Sequence, residues 1–129
     1  MTDTARNKEV VVEFWNAPVG DKASYVTQDV RWHLPISSAR TGRAVDLQGD
    51  EVRAQFARSS TFYEEERTSD IWHVVAEDDL VALHCTMHTR TRSGNDYHGP
   101  YFTLFRIEDG LIAEAWAFLD TAYAAEMTQ

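Results

Sequence analysis

The chain has 129 residues, 43% hydrophobic and 12% aromatic with four Trp, enough for one core and a single domain spanning residues 1–129. Acidic residues outnumber basic ones, 21 to 12, for a net charge of −9, which argues against nucleic acid and anionic membrane surfaces as partners. Cys85 is the sole cysteine, so an intrachain disulfide is excluded, as suits a reducing cytoplasm, and the longest apolar run, Ala115 to Leu119, falls far short of the roughly 20 residues of a membrane span.

The start, Met1-Thr2-Asp3-Thr4, has neither the basic nor the apolar segment of a signal peptide. Asp3 or Thr4 can cap a first helix whose apolar stripe is Val10, Val11, Phe14 and Trp15, with Ala17-Pro18-Val19-Gly20 ending it. A short second helix is expected after Asp21, turning Tyr25 and Val26 inward. Val30 to Pro35 reads as a strand closed by its proline, and Ser37 to Gly49 as a glycine-punctuated loop. Asp50 can cap a third helix that buries Val52 and Phe56.

From about Phe62 the pattern changes to long strands. The turn signals are Glu77-Asp78-Asp79, Ser93-Gly94-Asn95 and Glu108-Asp109-Gly110. Segments of about 12 residues between them would each run roughly 40 Å. Antiparallel strands of that length twist and coil, so the sheet should curl around the helices and leave a cleft at its open end. The fold class expected is α+β: three helices from the N-terminal half packed on a strongly curved antiparallel sheet.

This order resembles the nuclear-transport-factor-2-like superfamily, also called cystatin-like, which includes ketosteroid isomerases, limonene epoxide hydrolases and SnoaL-like polyketide cyclases. Asp29-Val30-Arg31-Trp32-His33-Leu34-Pro35 is similar to the family's first strand, and Gly49-Asp50-Glu51-Val52-Arg53 to its entry into the third helix. Phe105-Arg106-Ile107-Glu108-Asp109-Gly110-Leu111-Ile112, followed by Glu114, Trp116 and Asp120, resembles the ending of SnoaL-like proteins. The resemblance implies a conical barrel with an internal pocket for a small hydrophobic molecule, and a homodimer formed through the sheet.

The resemblance also sorts the chemistry. The positions matching the isomerase's tyrosine, base and protonated Asp are Val11, Leu34 and Thr103, and none can do that work. The positions matching the hydrolase's Asp-Arg-Asp set are Cys85, Met87 and Ala117, so no water is activated in that way. Asp120 matches the acid/base of SnoaL-like cyclases. Its chemistry would be proton transfer beside a carbonyl, which needs a hydrogen-bond donor for the enolate oxygen; Tyr101, Trp32 and His33 are the nearest by alignment. The competing reading of Asp120 is a cap on a short helix beginning at Thr121, or a residue facing a dimer partner beside Trp116 and Phe118.

The candidate catalytic residues are therefore Asp120 and His33. The candidate ligand-binding residues are Trp32, Leu34, Tyr63, Cys85, Met87, Tyr101, Thr103 and Ala117. No metal is expected: in a strand, His84 and His88 would lie about 13 Å apart, too far to share one. His73 reads as a sheet-face residue and His98 as part of a bend at Gly99-Pro100. Trp72 reads as core or pocket wall, and Arg106 with Glu108 as a solvated hairpin pair. The chain has no G-x-S-x-G, G-x-G-x-x-G, Walker or C-x-x-C signature, and no cofactor is expected. A cofactor-independent cyclase or isomerase acting on a polyketide- or terpenoid-like substrate, a non-catalytic binder and a dimerising interaction domain are the readings to separate.

Overall fold

The computed structural model describes residues 3–41, 44–59, 61–64 and 66–129. Met1 and Thr2 of the chain's start, and Gly42 and Arg43 of the expected loop, lie outside them. Helix α1 spans Thr4–Asn16, and Asp3 is its cap, its Oδ1 accepting the Arg6 N–H at 2.9 Å. Asn7, Val10, Val11 and Phe14 recur at three- and four-residue spacing and are buried. The expected second helix is a 3-10 helix over Val19–Tyr25. Strand β1, Val26–His33, starts four residues before the expected one and ends two short of Pro35.

The segment expected as loop is more ordered than its composition suggests. It holds a 3-10 helix, Ile36–Thr41, and a short strand β2, Asp46–Gln48, antiparallel to β1. Three residues are too few to show an alternation, so sequence pattern could not reveal β2. Gly49, at φ 60°, turns the chain into helix α2, Asp50–Ser59, which buries Val52 and Phe56.

Strands β3 (Thr68–Glu77), β4 (Leu80–Arg90), β5 (Asp96–Glu108) and β6 (Leu111–Leu119) form the expected antiparallel meander. Its turns fall at the expected signals: Asp78, Asp109 and Gly110 take positive φ in the two tight ones, where Asp and Gly tolerate the left-handed region best. The sheet order is β2-β1-β6-β5-β4-β3, and β1 runs parallel to β6. The sheet is therefore mixed rather than wholly antiparallel. Side-chain alternation is the same for either direction, and the long connection from β1 to β6 permits the parallel one. A last helix, α3, spans Thr121–Met127.

One face of the sheet carries Trp32, Val81, Leu83, Cys85, Phe105 and Ala115, all buried against α1 and α2. Phe14 from α1 meets the rings of Tyr25, Trp32, Phe56 and Phe105 at centroid distances of 5.4–6.4 Å. This aromatic cluster closes the core and forms one end of the cavity described next.

Candidate functional site

A cavity of about 450 Å³ opens between the helices and the inner sheet face, a usual size for a small-molecule site. Alternation along the strands decides which side chains reach it. Trp32 and Leu34 enter from β1 and the residue after it, Met87 from β4, Tyr101 and Thr103 from β5, and Ala117 from β6; Tyr63 enters from the segment before β3. Seven of the eight candidate ligand-binding residues thus share one wall.

Cys85 does not. It lies fully buried in the core cluster with Val11 and Leu83, and burial pushes its thiol up to about 11. A thiol so held is inert at neutral pH. Its inward direction was legible from alternation, but the helices fill the space in front of it.

His33 is also a correction. Trp32 and Leu34 point inward, so His33 points to the outer face. There it stacks on Trp116, with its Nδ1 2.8 Å from Asp46 Oδ1 and its Nε2 2.6 Å from Glu114 Oε2. Partial burial opposes protonation of the imidazole, but hydrogen bonds to Asp46 and Glu114 outweigh it and raise the pKa. Glu114 is lowered: burial, the largest single influence, opposes this, and His33 and Arg106 together outweigh it. His33 ties β2, β1 and β6 together and lies away from the cavity.

Asp120 follows the end of β6, is exposed, and stands outside the cavity lining. Its Oδ1 accepts the Tyr123 N–H at 3.0 Å as the cap of α3. Of the roles open to it in the sequence, the geometry supplies the cap. Four other expectations resolve on the outer face. Trp72 is 55% exposed there, neither core nor cavity wall, because Ile71 takes the inner position, and a register shift between Ile71 and His73 keeps both Trp72 and His73 on the outer face. His73 is a sheet-face residue, its Nδ1 3.0 Å from that of His84 across the strands. His98 sits within an uninterrupted β5, its Nδ1 2.7 Å from that of His88, and forms no bend. Arg106 and Glu108 do pair, at 3.5 Å. Among the described residues no group of three or more His, Cys, Asp or Glu is placed to hold a metal ion.

Beside the neutral side chains of Asn16, Gln55 and Thr103, the cavity's polar lining includes tyrosines and cations. The Tyr101 hydroxyl is 3.1 Å from that of Tyr97, whose ring stacks on Tyr123 and leans on Tyr63. Burial raises the pKa of both Tyr97 and Tyr101 far above the ordinary phenol value, so both stay protonated and able to donate. Gly99 makes this possible, since a Cβ there would stand on the Tyr97 ring.

Lys22 and Arg67 also line the cavity, and the sequence reading missed both. Lys22 follows an expected turn, and Arg67 closes the run Glu64-Glu65-Glu66-Arg67, which reads as solvated charge. Lys22 Nζ donates to the carbonyls of Phe14 and Trp15 at 2.7 and 3.0 Å, capping the end of α1 over the Phe14 ring. Glu66 is the one carboxylate in the described lining, and it is exposed.

A family model for the SnoaL-like domain matches residues 5–115. The chain belongs to that family. Solved structures share its fold at low identity. A nuclear-transport-factor-2-like protein of unknown function from Burkholderia pseudomallei K96243 is 20% identical with a TM-score of 0.82, covering 100% of this chain and 99% of its own. A candidate SnoaL-like polyketide cyclase from Jannaschia sp. CCS1 is 18% identical with a TM-score of 0.79, covering 99% and 97%. IdmH, a candidate polyketide cyclase from Streptomyces antibioticus, is 18% identical with a TM-score of 0.76, covering 94% and 96%. No curated protein gives a significant match. The fold of this SnoaL-like domain is consistent with a cone, and no described helix is long and apolar enough to cross a membrane.

Proposed function

We propose that this SnoaL-like protein binds a small hydrophobic, oxygenated molecule, polyketide- or terpenoid-like, and acts on it as a cofactor-independent enzyme of the cyclase or isomerase type. The observation that carries the reading is the Tyr101 hydroxyl inside an apolar cavity with Tyr97 behind it. When Tyr97 donates to Tyr101, the Tyr101 O–H is free to donate to a substrate carbonyl and to stabilise negative charge that develops on that oxygen. The cyclase-type neighbours support the substrate class.

A non-catalytic binder is the second reading. It draws support from the exposed, capping position of Asp120 and from the lack of a second carboxylate in the described lining. A purely interacting domain is disfavoured by a cavity that its own side chains leave open. Native mass spectrometry of freshly purified protein tests the common part: a retained hydrophobic species within the mass range the cavity admits is expected. Incubating that species with catalytic amounts of protein then separates turnover from storage. Absence of any retained or added apolar ligand would sink both.

A homodimer through the outer sheet face belongs to the same proposal. Trp72, Phe102 and Phe118 are each more than half exposed there, at 55%, 51% and 57%, an apolar patch of the kind that marks an interface. Sedimentation velocity should show twice the 14.7 kDa chain mass; a monomer at micromolar concentration would refute it. A cytoplasmic location suits the lone buried thiol, and thiol-state labelling in cell fractions would check it.

A further inference from the structure

The chain carries more carboxylates than cations, 21 against 12, yet two cations at the cavity have no carboxylate partner. Neither Lys22 nor Arg67 forms an ion pair among the described residues. The Arg67 Nη1 donates to Ser59 Oγ at 3.3 Å and its Nε to the Glu64 carbonyl at 3.5 Å. Its Nη2 is buried and has no hydrogen-bond partner among the described residues. The guanidinium lies over the Tyr63 ring, 5.5 Å from its centre. Burial, and then the nearby Arg67 charge, lower the Lys22 pKa to about 8; burial is also the leading cause of a lowered Arg67.

Two like charges facing one apolar cavity repel each other and lose hydration. A buried donor left unmade is costly as well. A protein rich in Asp and Glu could have placed a carboxylate beside them, and among the described lining residues the one carboxylate is the exposed Glu66. A neutral carbonyl would satisfy one N–H but would leave both charges uncompensated. An anionic oxygen group on an apolar body compensates the charge of the two cations and fills the aromatic wall at once.

We infer that the cavity is built for a hydrophobic anion, a carboxylate or an ionised enol or phenol, whose charge is compensated by Arg67 and Lys22, the two cations of its lining. This rests on the cavity being the ligand site, as proposed above, and narrows its substrate class.

The test uses a matched pair of probes, 1-naphthoate and neutral 1-acetylnaphthalene, titrated against the full chain by quenching of Trp15 and Trp32, which line the cavity. The wild type should bind the naphthoate at least about tenfold more tightly, the ratio expected of one charge-assisted hydrogen bond. Arg67→Gln and Lys22→Gln should each erase most of that preference, read as the ratio of the two affinities within each variant, while Arg67→Lys should restore part of it. Equal affinities in the wild type, or an unchanged ratio in a folded Arg67→Gln, would overturn the inference and leave the cavity reading standing. Failure of both probes at millimolar concentration would overturn both. Because the wild-type ratio decides alone, the inference stays falsifiable if a variant does not fold.

Discussion

Tyr101→Phe is expected to lower kcat by about 10²–10³ on the substrate that ligand recovery identifies, with KM little changed, the usual loss when one enolate-stabilising donor is removed. The substitution removes a single oxygen. It keeps the ring that packs edge-on against Trp15 at 5.5 Å, so the cavity wall is preserved. The Tyr97 hydroxyl loses its partner, which costs stability on the order of 1 kcal/mol, small beside the catalytic effect. A loss in kcat of less than tenfold would remove Tyr101 from the mechanism. The companion variant is Asp120→Asn, in which asparagine keeps the cap on α3. Unchanged turnover there would exclude Asp120 as acid/base, the outcome its exposed position favours, whereas a large loss would restore the expectation drawn from its motif.

Phe14→Ala should lower the unfolding free energy by about 3–5 kcal/mol, the range for deleting a buried phenylalanine. That is a large part of the roughly 5–15 kcal/mol available to a domain of this size. Phe14 is 2% exposed, and its ring meets those of Tyr25, Trp32, Phe56 and Phe105. These belong to the helical layer and to two separate strands, so the void cannot be closed by moving one element. The ring also lies under the Lys22 ammonium, 4.6 Å from its centre. Phe14→Leu should recover more than half of the loss by refilling the space. Denaturant unfolding reads both, and a change below about 1 kcal/mol for the alanine variant would show that the four rings do not act as one core.

The helices and the meander were legible because their signals are local. Asp3 and the Val10-Val11-Phe14 spacing specify α1, and Asp-Gly or Asp-Asp pairs specify tight turns wherever they fall. The parallel pairing of β1 with β6 left no trace, since alternation is blind to strand direction. Met87, Tyr101, Thr103 and Ala117 came from the family resemblance, and the period of two along β4 to β6 explains why all four reach the cavity wall. The same rule failed for Cys85, where depth along the strand and not facing decides between core and cavity. His33 faced the other way because its neighbours Trp32 and Leu34 took the inner positions.

Composition, periodicity and turn chemistry by themselves determined an acidic α+β chain whose curled sheet leaves a hollow, and the residues that carry the family resemblance. Only the tertiary structure decided what the hollow contains. It turned Asp120 into a helix cap, set Tyr101 against Tyr97, and brought Lys22 and Arg67 to one cavity from segments 45 positions apart, since Lys22 precedes β1 and Arg67 precedes β3. A charge in a sequence reads as solvated until its surroundings are known. Burial without a counter-charge is a property of the assembled cavity, and here that property points to the ligand.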